Sequence, residues 1–162
     1  MNPHGFDLRD ALKSFYSGVT IVTAADAEGT PFGCTVSSFA SLSLEPPLVL
    51  VCLGREVRSL EPIRARQAYA VHILDRTQAE LARRFAADTE TKFEGLAFQP
   101  NEDGVPLLED CRLRLECRVE TEYDGGDHVI VVGRVRAVGL VERFEPLIFG
   151  NRAFATLGPA AE

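Results

Sequence analysis

Hydroxyl groups are concentrated in residues 33–43, Gly-Cys-Thr-Val-Ser-Ser-Phe-Ala-Ser-Leu-Ser, shortly before Pro46-Pro47. Small residues leave backbone N–H groups accessible, and Ser and Thr hydroxyls donate hydrogen bonds without adding charge. This set of donors suits the polar edge of a cofactor ring, or a phosphate. An edge strand whose hydroxyls bond to its own backbone would have the same composition. The segment by itself therefore leaves both interpretations open.

Basic side chains form a second group with chemical potential, because a phosphate needs a few fixed donors. Ser59 lies near a predicted helix start, where backbone N–H groups would add to these donors. A solvated helix face explains most of the basic residues equally well, and the pair Lys92-Phe93, after a polar loop, is the best candidate. The basic residues considered are Arg55, Arg58, Arg83, Arg84 and Lys92.

A histidine follows a glycine-rich turn in the segment Gly125-Gly126-Asp127-His128. The turn explains both glycines without any function. His128 would begin a strand, where it either faces a ligand at the mouth of a barrel or is an ordinary surface histidine. His72, inside an apolar strand, is predicted to be structural, and His4 to lie in a mobile terminus.

Several common catalytic motifs are missing from the sequence. There is no GxGxxG, no GxxxxGK[ST] and no GxSxG, and no nucleophile–base pair or pair of carboxylates stands out. The four cysteines, Cys34, Cys52, Cys111 and Cys117, have no CxxC spacing, and the strand-like runs around Cys34, Cys52 and Cys117 suit buried free thiols. The spacing of Cys111, Cys117 and His128 fits no common zinc pattern, so we predict no metal site.

Composition limits the class of protein. The 162 residues suffice for one domain with a real core. A net charge of −7 argues against nucleic acid or an anionic membrane as the main partner. No apolar run approaches the roughly 20 residues of a membrane helix, and residues 1–16 lack the apolar core of a signal peptide. We therefore expect a cytoplasmic protein.

The elements that would position these residues are mostly strands. Residues 113–123 alternate apolar and charged side chains, which is typical of a half-buried antiparallel strand, and Gly133 and Gly139 mark bulges or bends in the next one. Regular strand–helix alternation is missing, so a closed or nearly closed antiparallel barrel is favoured over a doubly wound α/β fold. Strands are predicted at residues 19–23, 32–39, 48–53, 69–74, 113–123 and 128–141, and helices at 7–18, 57–66 and 77–87.

Seven segments in this order resemble the flavin reductase-like family, the short reductase components of two-component flavin monooxygenases. The resemblance covers about residues 12–154. The segments are Gly18-Val19-Thr20-Ile21-Val22-Thr23, the hydroxyl-rich segment with Pro46-Pro47-Leu48-Val49, Phe85-Ala86, Lys92-Phe93-Glu94-Gly95, Pro106-Leu107-Leu108, Cys117-Arg118-Val119 and Gly126-Asp127-His128.

The resemblance implies a mainly β fold, an antiparallel FMN-binding split β-barrel with a few short helices. It implies one domain over residues 1–162, with flexible termini at 1–6 and 158–162, and a homodimer that binds FMN or FAD near the subunit interface. Carried over by position, His128 lies beside the nicotinamide. The cofactor-binding residues would be Thr35, Val36, Ser37, Ser38, Ser41, Cys52, Leu53, Ser59, Lys92, Phe93 and Arg152.

The activity implied is hydride transfer from NADH or NADPH to flavin, with release of reduced flavin to a separate monooxygenase. The flavin carries the difficult chemistry, so the absence of a strong acid, base or nucleophile is expected. A non-catalytic flavin-binding or flavin-storage protein is the alternative, and an oxidase of the same fold is a third. Family members often end in a segment with tyrosine and arginine. Residues 149–154 of this chain read Phe-Gly-Asn-Arg-Ala-Phe, so the sequence does not decide whether the flavin is FMN or FAD.

Overall fold

A computed structural model describes residues 7–158, in which antiparallel strands are the main regular structure. The predictions for residues 1–6 and 159–162, including His4, lie outside the described residues. The strands are β1 (Ser17–Gly18), β2 (Thr20–Ala25), β3 (Pro31–Val36), β4 (Phe39–Leu44), β5 (Pro47–Gly54), β6 (Ala68–Ile73), β7 (Phe98–Pro100), β8 (Pro106–Leu108), β9 (Arg114–Gly125), β10 (His128–Gly139), β11 (Ile148–Gly150) and β12 (Ala153–Ala155). The α-helices are α1 (Leu8–Leu12), α2 (Leu60–Arg66) and α3 (Ala79–Ala86).

One seven-stranded sheet carries most of the structure, in the order β3-β2-β6-β9-β10-β5-β4. Every pair in it is antiparallel. The β-branched side chains of β2 are buried along its whole length, which matches the preference of such residues for packed sheet surfaces. The prediction of a mainly β, antiparallel fold with a few short helices is confirmed.

The core consists of two main clusters, and each supports one wall of the candidate active site. Val51, Leu53 and Val131 belong to the first cluster, which packs inside the large sheet. Phe85 on α3 and Phe93 belong to the second, where their rings meet edge to face at 5.0 Å. Helix α3 packs on β3, where Phe85 lies against Gly33 and the Thr35 hydroxyl donates to the Ala82 carbonyl at 2.6 Å.

Several predicted boundaries are wrong. Helix α1 ends at Leu12 rather than near Gly18, and the strand predicted at residues 32–39 ends at Val36. The second helix starts at Leu60, not at residue 57, because residues 55–59 form turns. Pro62 then lies in the first helical turn, where its missing N–H costs nothing. The last long strand ends at Gly139 rather than at residue 141.

Two short strands, β11 and β12, occupy a tail in which the sequence shows no periodicity. Three residues are too few for an alternation to be recognised. Strand β11 pairs with β1, so tertiary contacts define this tail. The predicted bulge at Gly133 is confirmed by a register shift between Val132 and Gly133, whereas the other shift lies between Val135 and Ala137 and not at Gly139.

Within residues 7–158 no helix is long and apolar enough to cross a membrane. All four cysteines are free, and Cys34, Cys111 and Cys117 are buried. The prediction of buried free thiols is confirmed for Cys34 and Cys117, whereas Cys52 is free but only partly buried.

His72 on β6 is completely buried, in agreement with the predicted structural role. Its Nε2 lies 3.1 Å from the Thr23 hydroxyl, which itself donates to the Pro106 carbonyl at 2.7 Å. Burial lowers the pKa of His72 to about 4. The folded state therefore holds a neutral imidazole, whereas the same ring exposed to solvent takes up a proton at a higher pH.

Because the unfolded chain binds this proton near pH 6.5 and the folded chain only near pH 4, acid should favour unfolding. We expect the free energy of unfolding to fall by about 2 kcal/mol between pH 7 and pH 5, a window above the range in which carboxylates titrate. Urea unfolding at each pH measures this. His72→Gln, although less stable at pH 7, should show a flatter profile over that window, and an unchanged slope would contradict the prediction.

Candidate active site

One cavity, which we call the main cavity, measures about 520 Å³. It lies between β3, the loop after β5, the C-terminal end of α3 and the β9–β10 turn. Its lining residues are Gly33, Cys34, Thr35, Gly54, Arg55, Glu56, Val57, Arg58, Ser59, Phe85, Ala86, Ala87, Asp88, Lys92, Asp127 and His128.

Strand register brings the β9–β10 turn to this cavity. Strands β5 and β10 pair antiparallel with Gly54 opposite His128, so the end of one strand meets the start of the other. The N–H of Arg55 continues this ladder by donating to the Asp127 carbonyl at 3.1 Å. His128 therefore stands at the cavity wall because of a pairing between residues 74 positions apart (128 minus 54).

His128 is half-exposed, and its Nδ1 lies 2.7 Å from the Asp127 carboxylate. The hydrogen bond to His128 holds the pKa of Asp127 below its usual range. A carboxylate on Nδ1 fixes the ring orientation and leaves Nε2 available to a ligand.

Lys92 enters the main cavity from the loop after α3. Its Nζ donates to the carbonyls of Gly33 at 3.1 Å and Phe85 at 3.0 Å. An ammonium group has three N–H donors, so one remains for a ligand. Partial burial lowers the pKa of Lys92, while the nearby Cys34 and Asp88 act in the opposite direction.

Ser59 and Cys34 meet at the base of the same wall. Ser59 is 1% exposed and lies beside the Cys34 thiol. Burial raises the pKa of Cys34, although Ser59 and Lys92 oppose this. The thiol therefore stays protonated and acts as a wall of the cavity rather than as a nucleophile.

A smaller recess of about 150 Å³ adjoins the main cavity and shares Gly33, Arg58, Ser59 and Lys92 with it. Phe93 forms its apolar side. Arg58 pairs with Glu90 across it, with a separation of 2.7 Å between Nη2 and Oε1. A ligand larger than the main cavity would extend into this recess.

A second cavity of about 430 Å³ lies on the other side of the β3–β4 connection. Ser37, Ser38 and Arg152 line it together with Arg9 and Lys13 near the N-terminus. The backbone of Arg152 has a φ of 60°, in the left-handed region. Such a conformation in a residue other than glycine is held by its surroundings, here the short β11–β12 hairpin.

The predicted site residues are thus divided. Thr35, Ser59, Lys92 and His128 line the main cavity, Phe93 lines the recess, and Ser37, Ser38 and Arg152 line the second cavity. The side chains of Val36 and Leu53 are buried in the core, so only their backbones are available to a ligand. Ser41 and Cys52 lie on β4 and β5 and line none of these three spaces.

Sequence reasoning missed some of the lining residues. Glu56 and Val57, after β5, and Arg9 and Lys13, near the N-terminus, are not among the predicted site residues. The first pair could have been found from its position directly after a buried strand, since binding residues often lie in the loops that follow such strands.

Two of the predicted basic residues have other partners. Arg83 covers the Phe154 ring, with its Cζ 5.2 Å from the ring centre. Arg84 donates to the Thr91 carbonyl at 3.1 Å.

A family model described as a flavin reductase-like domain matches residues 12–158. The chain belongs to this family. The probable flavin reductase of Rhizobium meliloti is 42% identical over 130 residues, which are 80% of this chain but only 42% of that protein. The chain thus spans less than half of that relative.

Two further comparisons cover nearly the whole chain. HsaB of Mycobacterium tuberculosis, the reductase subunit of a flavin-dependent monooxygenase, is 36% identical over 153 residues, or 93% of this chain and 81% of HsaB. The structure of SgcE6, an NADH:FAD oxidoreductase of Streptomyces globisporus solved with NAD and FAD fragments, aligns with a TM-score of 0.88 at 34% identity. That alignment covers 96% of this chain and 93% of SgcE6.

These findings confirm the predicted family. They also confirm, at the level of the family, the predicted class of activity, a nicotinamide-dependent flavin oxidoreductase. The use of a flavin and a nicotinamide nucleotide is confirmed in the same sense. The roles of individual residues remain predictions.

Proposed function

We propose that the main cavity is where this chain brings a nicotinamide and a flavin together for hydride transfer. The observation that carries the proposal is the meeting of Lys92 and His128 in one cavity, because they come from separate motifs and from distant parts of the chain. No strong acid, base or nucleophile is needed there, since the flavin itself accepts the hydride when bound.

The residues present fit such a cofactor. A volume of about 520 Å³ lies within the usual range of small-molecule sites. Of the basic side chains on its wall, Arg55 pairs with Asp124 and Arg58 with Glu90, whereas Lys92 donates to backbone carbonyls. A phosphorylated ligand would therefore meet the charge of Lys92 in a protein whose net charge is −7.

Each predicted residue then has a definite task. Lys92 and Ser59 bind phosphate, Thr35 and the backbones of Val36 and Leu53 bound the ring, and Phe93 walls the recess. Ser37, Ser38 and Arg152 would bind the part of the flavin or nicotinamide nucleotide that crosses the β3–β4 connection. Ser41 and Cys52 would contribute only at the margin of the site. The protein's work is to hold the two rings about 3–3.5 Å apart with water excluded.

His128 is proposed to position the nicotinamide through Nε2, since Asp127 occupies Nδ1. Replacing it with alanine should raise the KM for NADH about tenfold, the loss of roughly one good hydrogen bond, and leave FMN affinity unchanged. Steady-state kinetics and FMN titration measure the two constants. If neither constant moves, His128 has no place in the reaction.

The quaternary arrangement proposed is a homodimer with the flavin near the subunit interface. Strand β4 is an edge of the large sheet, and it carries Leu42 and Leu44, which are 50% and 93% exposed. A second copy would cover such an apolar edge, which is otherwise prone to nonspecific pairing. Sedimentation velocity tests this, and a monomer at micromolar concentration would refute it.

We further propose a single domain of the split-barrel type that acts in the cytoplasm and passes reduced flavin to a separate monooxygenase. Release of reduced flavin calls for modest affinity, so FMN or FAD would be a substrate as much as a cofactor. The donor in this proposal is NADH or NADPH, although the sequence offers no obvious arginine cluster for the 2′-phosphate of NADPH.

The decisive experiment follows the visible absorption of added FMN, FAD or riboflavin in the absence of oxygen, with NADH or NADPH as reductant. We expect bleaching with many turnovers per protein chain. Binding of flavin without turnover with either nicotinamide would instead indicate a flavin-binding or storage protein.

A further inference from the structure

Arg55 holds the turn that carries His128 through its side chain. Its Nε donates to the Gly126 carbonyl at 2.7 Å, and its guanidinium forms an ion pair with Asp124. Both contacts cross from the end of β5 to the β9–β10 turn. The backbone N–H of Arg55 also bonds to this turn, but any residue would supply that contact.

The bond to the Gly126 carbonyl matters more than the ion pair. Arg55 and Asp124 are 43% and 81% exposed, and pairs this open contribute little. Gly126 has a φ of +78° and lacks a side chain, so no side chain of its own restrains the peptide that follows it. Fixing its carbonyl fixes the plane of the peptide bond to Asp127.

Asp127 is the residue that orients the His128 ring, with its carboxylate 2.7 Å from Nδ1. A rotation of the Gly126–Asp127 peptide would change the φ of Asp127 and withdraw that carboxylate. We propose that Arg55 is a positioning residue for the nicotinamide, acting on His128 through the Gly126 carbonyl and Asp127. This inference rests on the proposed function of His128.

The test is a double-mutant cycle with Arg55→Ala and His128→Ala. Arg55→Ala alone should raise the KM for NADH about three- to tenfold, as expected for one lost hydrogen bond, with little change in kcat or FMN affinity. In the His128→Ala background the same change should have no further effect, because the residue it orients is gone. Arg55→Lys keeps a charge near Asp124 but loses the Nε bond, and should behave like Arg55→Ala.

Two controls separate this role from general damage. Asp124→Asn removes the ion pair only and should leave the KM unchanged. Arg134→Ala removes a guanidinium bound to Glu120 at 2.7 and 2.8 Å on the same hairpin, away from the cavity, and should also be silent. A weakened affinity for FMN in Arg55→Ala would overturn the proposal, because Arg55 would then contact the flavin.

Amide hydrogen exchange of residues 125–128 provides a readout that does not depend on turnover. Arg55→Ala should speed exchange in this turn at least several-fold, whereas Arg134→Ala should not. If the wild-type chain fails to reduce flavin but this exchange difference is present, the proposed reaction is wrong, while the inference that Arg55 holds the β9–β10 turn is supported. Effects on the KM that add in the double mutant would show instead that Arg55 acts independently of His128.

Discussion

Replacing Lys92 with methionine should weaken FMN binding about thirtyfold, the largest effect we expect from a single side chain in the main cavity. The change removes a cation whose remaining N–H donor faces the cavity, after two donors are used by the carbonyls of Gly33 and Phe85. A hydrogen bond between an ammonium group and a phosphate contributes about 2 kcal/mol, which corresponds to this factor. Fluorescence titration of FMN measures it.

Riboflavin makes the experiment sharper, because it has the same ring and no phosphate. If Lys92 binds the phosphate, Lys92→Met should change riboflavin affinity no more than about twofold. Equal losses for FMN and riboflavin would mean that Lys92 holds the wall in shape through its two carbonyl contacts and does not touch phosphate. Arg118→Met, which removes an exposed cation paired with Asp103, controls for the change in net charge.

Replacing Gly133 with alanine should destabilise the fold by about 4 kcal/mol, near the upper end for a single substitution. A Cβ at this position would lie 2.2 Å from the Tyr69 hydroxyl, 2.7 Å from its Cζ and 3.0 Å from the Cys117 Cβ. Tyr69 is completely buried and cannot swing away. Calorimetry should show a Tm lower by about 8–16 °C for a chain of this length.

Two further variants test the cause. Tyr69→Phe combined with Gly133→Ala should recover part of the loss, since the nearest atom is removed while Cζ stays. Gly18→Ala provides the matched control, because Gly18 also lies in a strand and a Cβ there would meet nothing within 4 Å. A normal Tm for Gly133→Ala would mean that the bulge at this position opens at little cost.

Several features of this protein follow from short stretches of chain. The alternation of residues 113–123 predicted β9 to within two residues at its end, because the two faces of a strand differ at a period of two. Pro46-Pro47 correctly predicts the start of a strand, but the apolar run after it predicts burial on both faces, whereas only one face of β5 is fully buried. The family was recognised from seven short motifs, since each motif is a local property of the sequence.

Tertiary structure alone decided how these motifs meet. Thr35 and Ser37 are two residues apart yet line different cavities, because the chain leaves β3 between them. Lys92 was predicted to bind phosphate, but only the packing of α3 on β3 revealed that two of its three donors serve backbone carbonyls.

The C-terminal tail is another segment whose structure the local sequence does not predict. Strands β11 and β12 have three residues each, too few for a period, and exist because β1 offers a partner. The sequence by itself therefore determined the elements, the family and the candidate residues, which depend on local pattern. The register of β5 against β10, which places Gly54 opposite His128 and so forms the main cavity, depends on pairing between distant segments, and only the folded chain decided it.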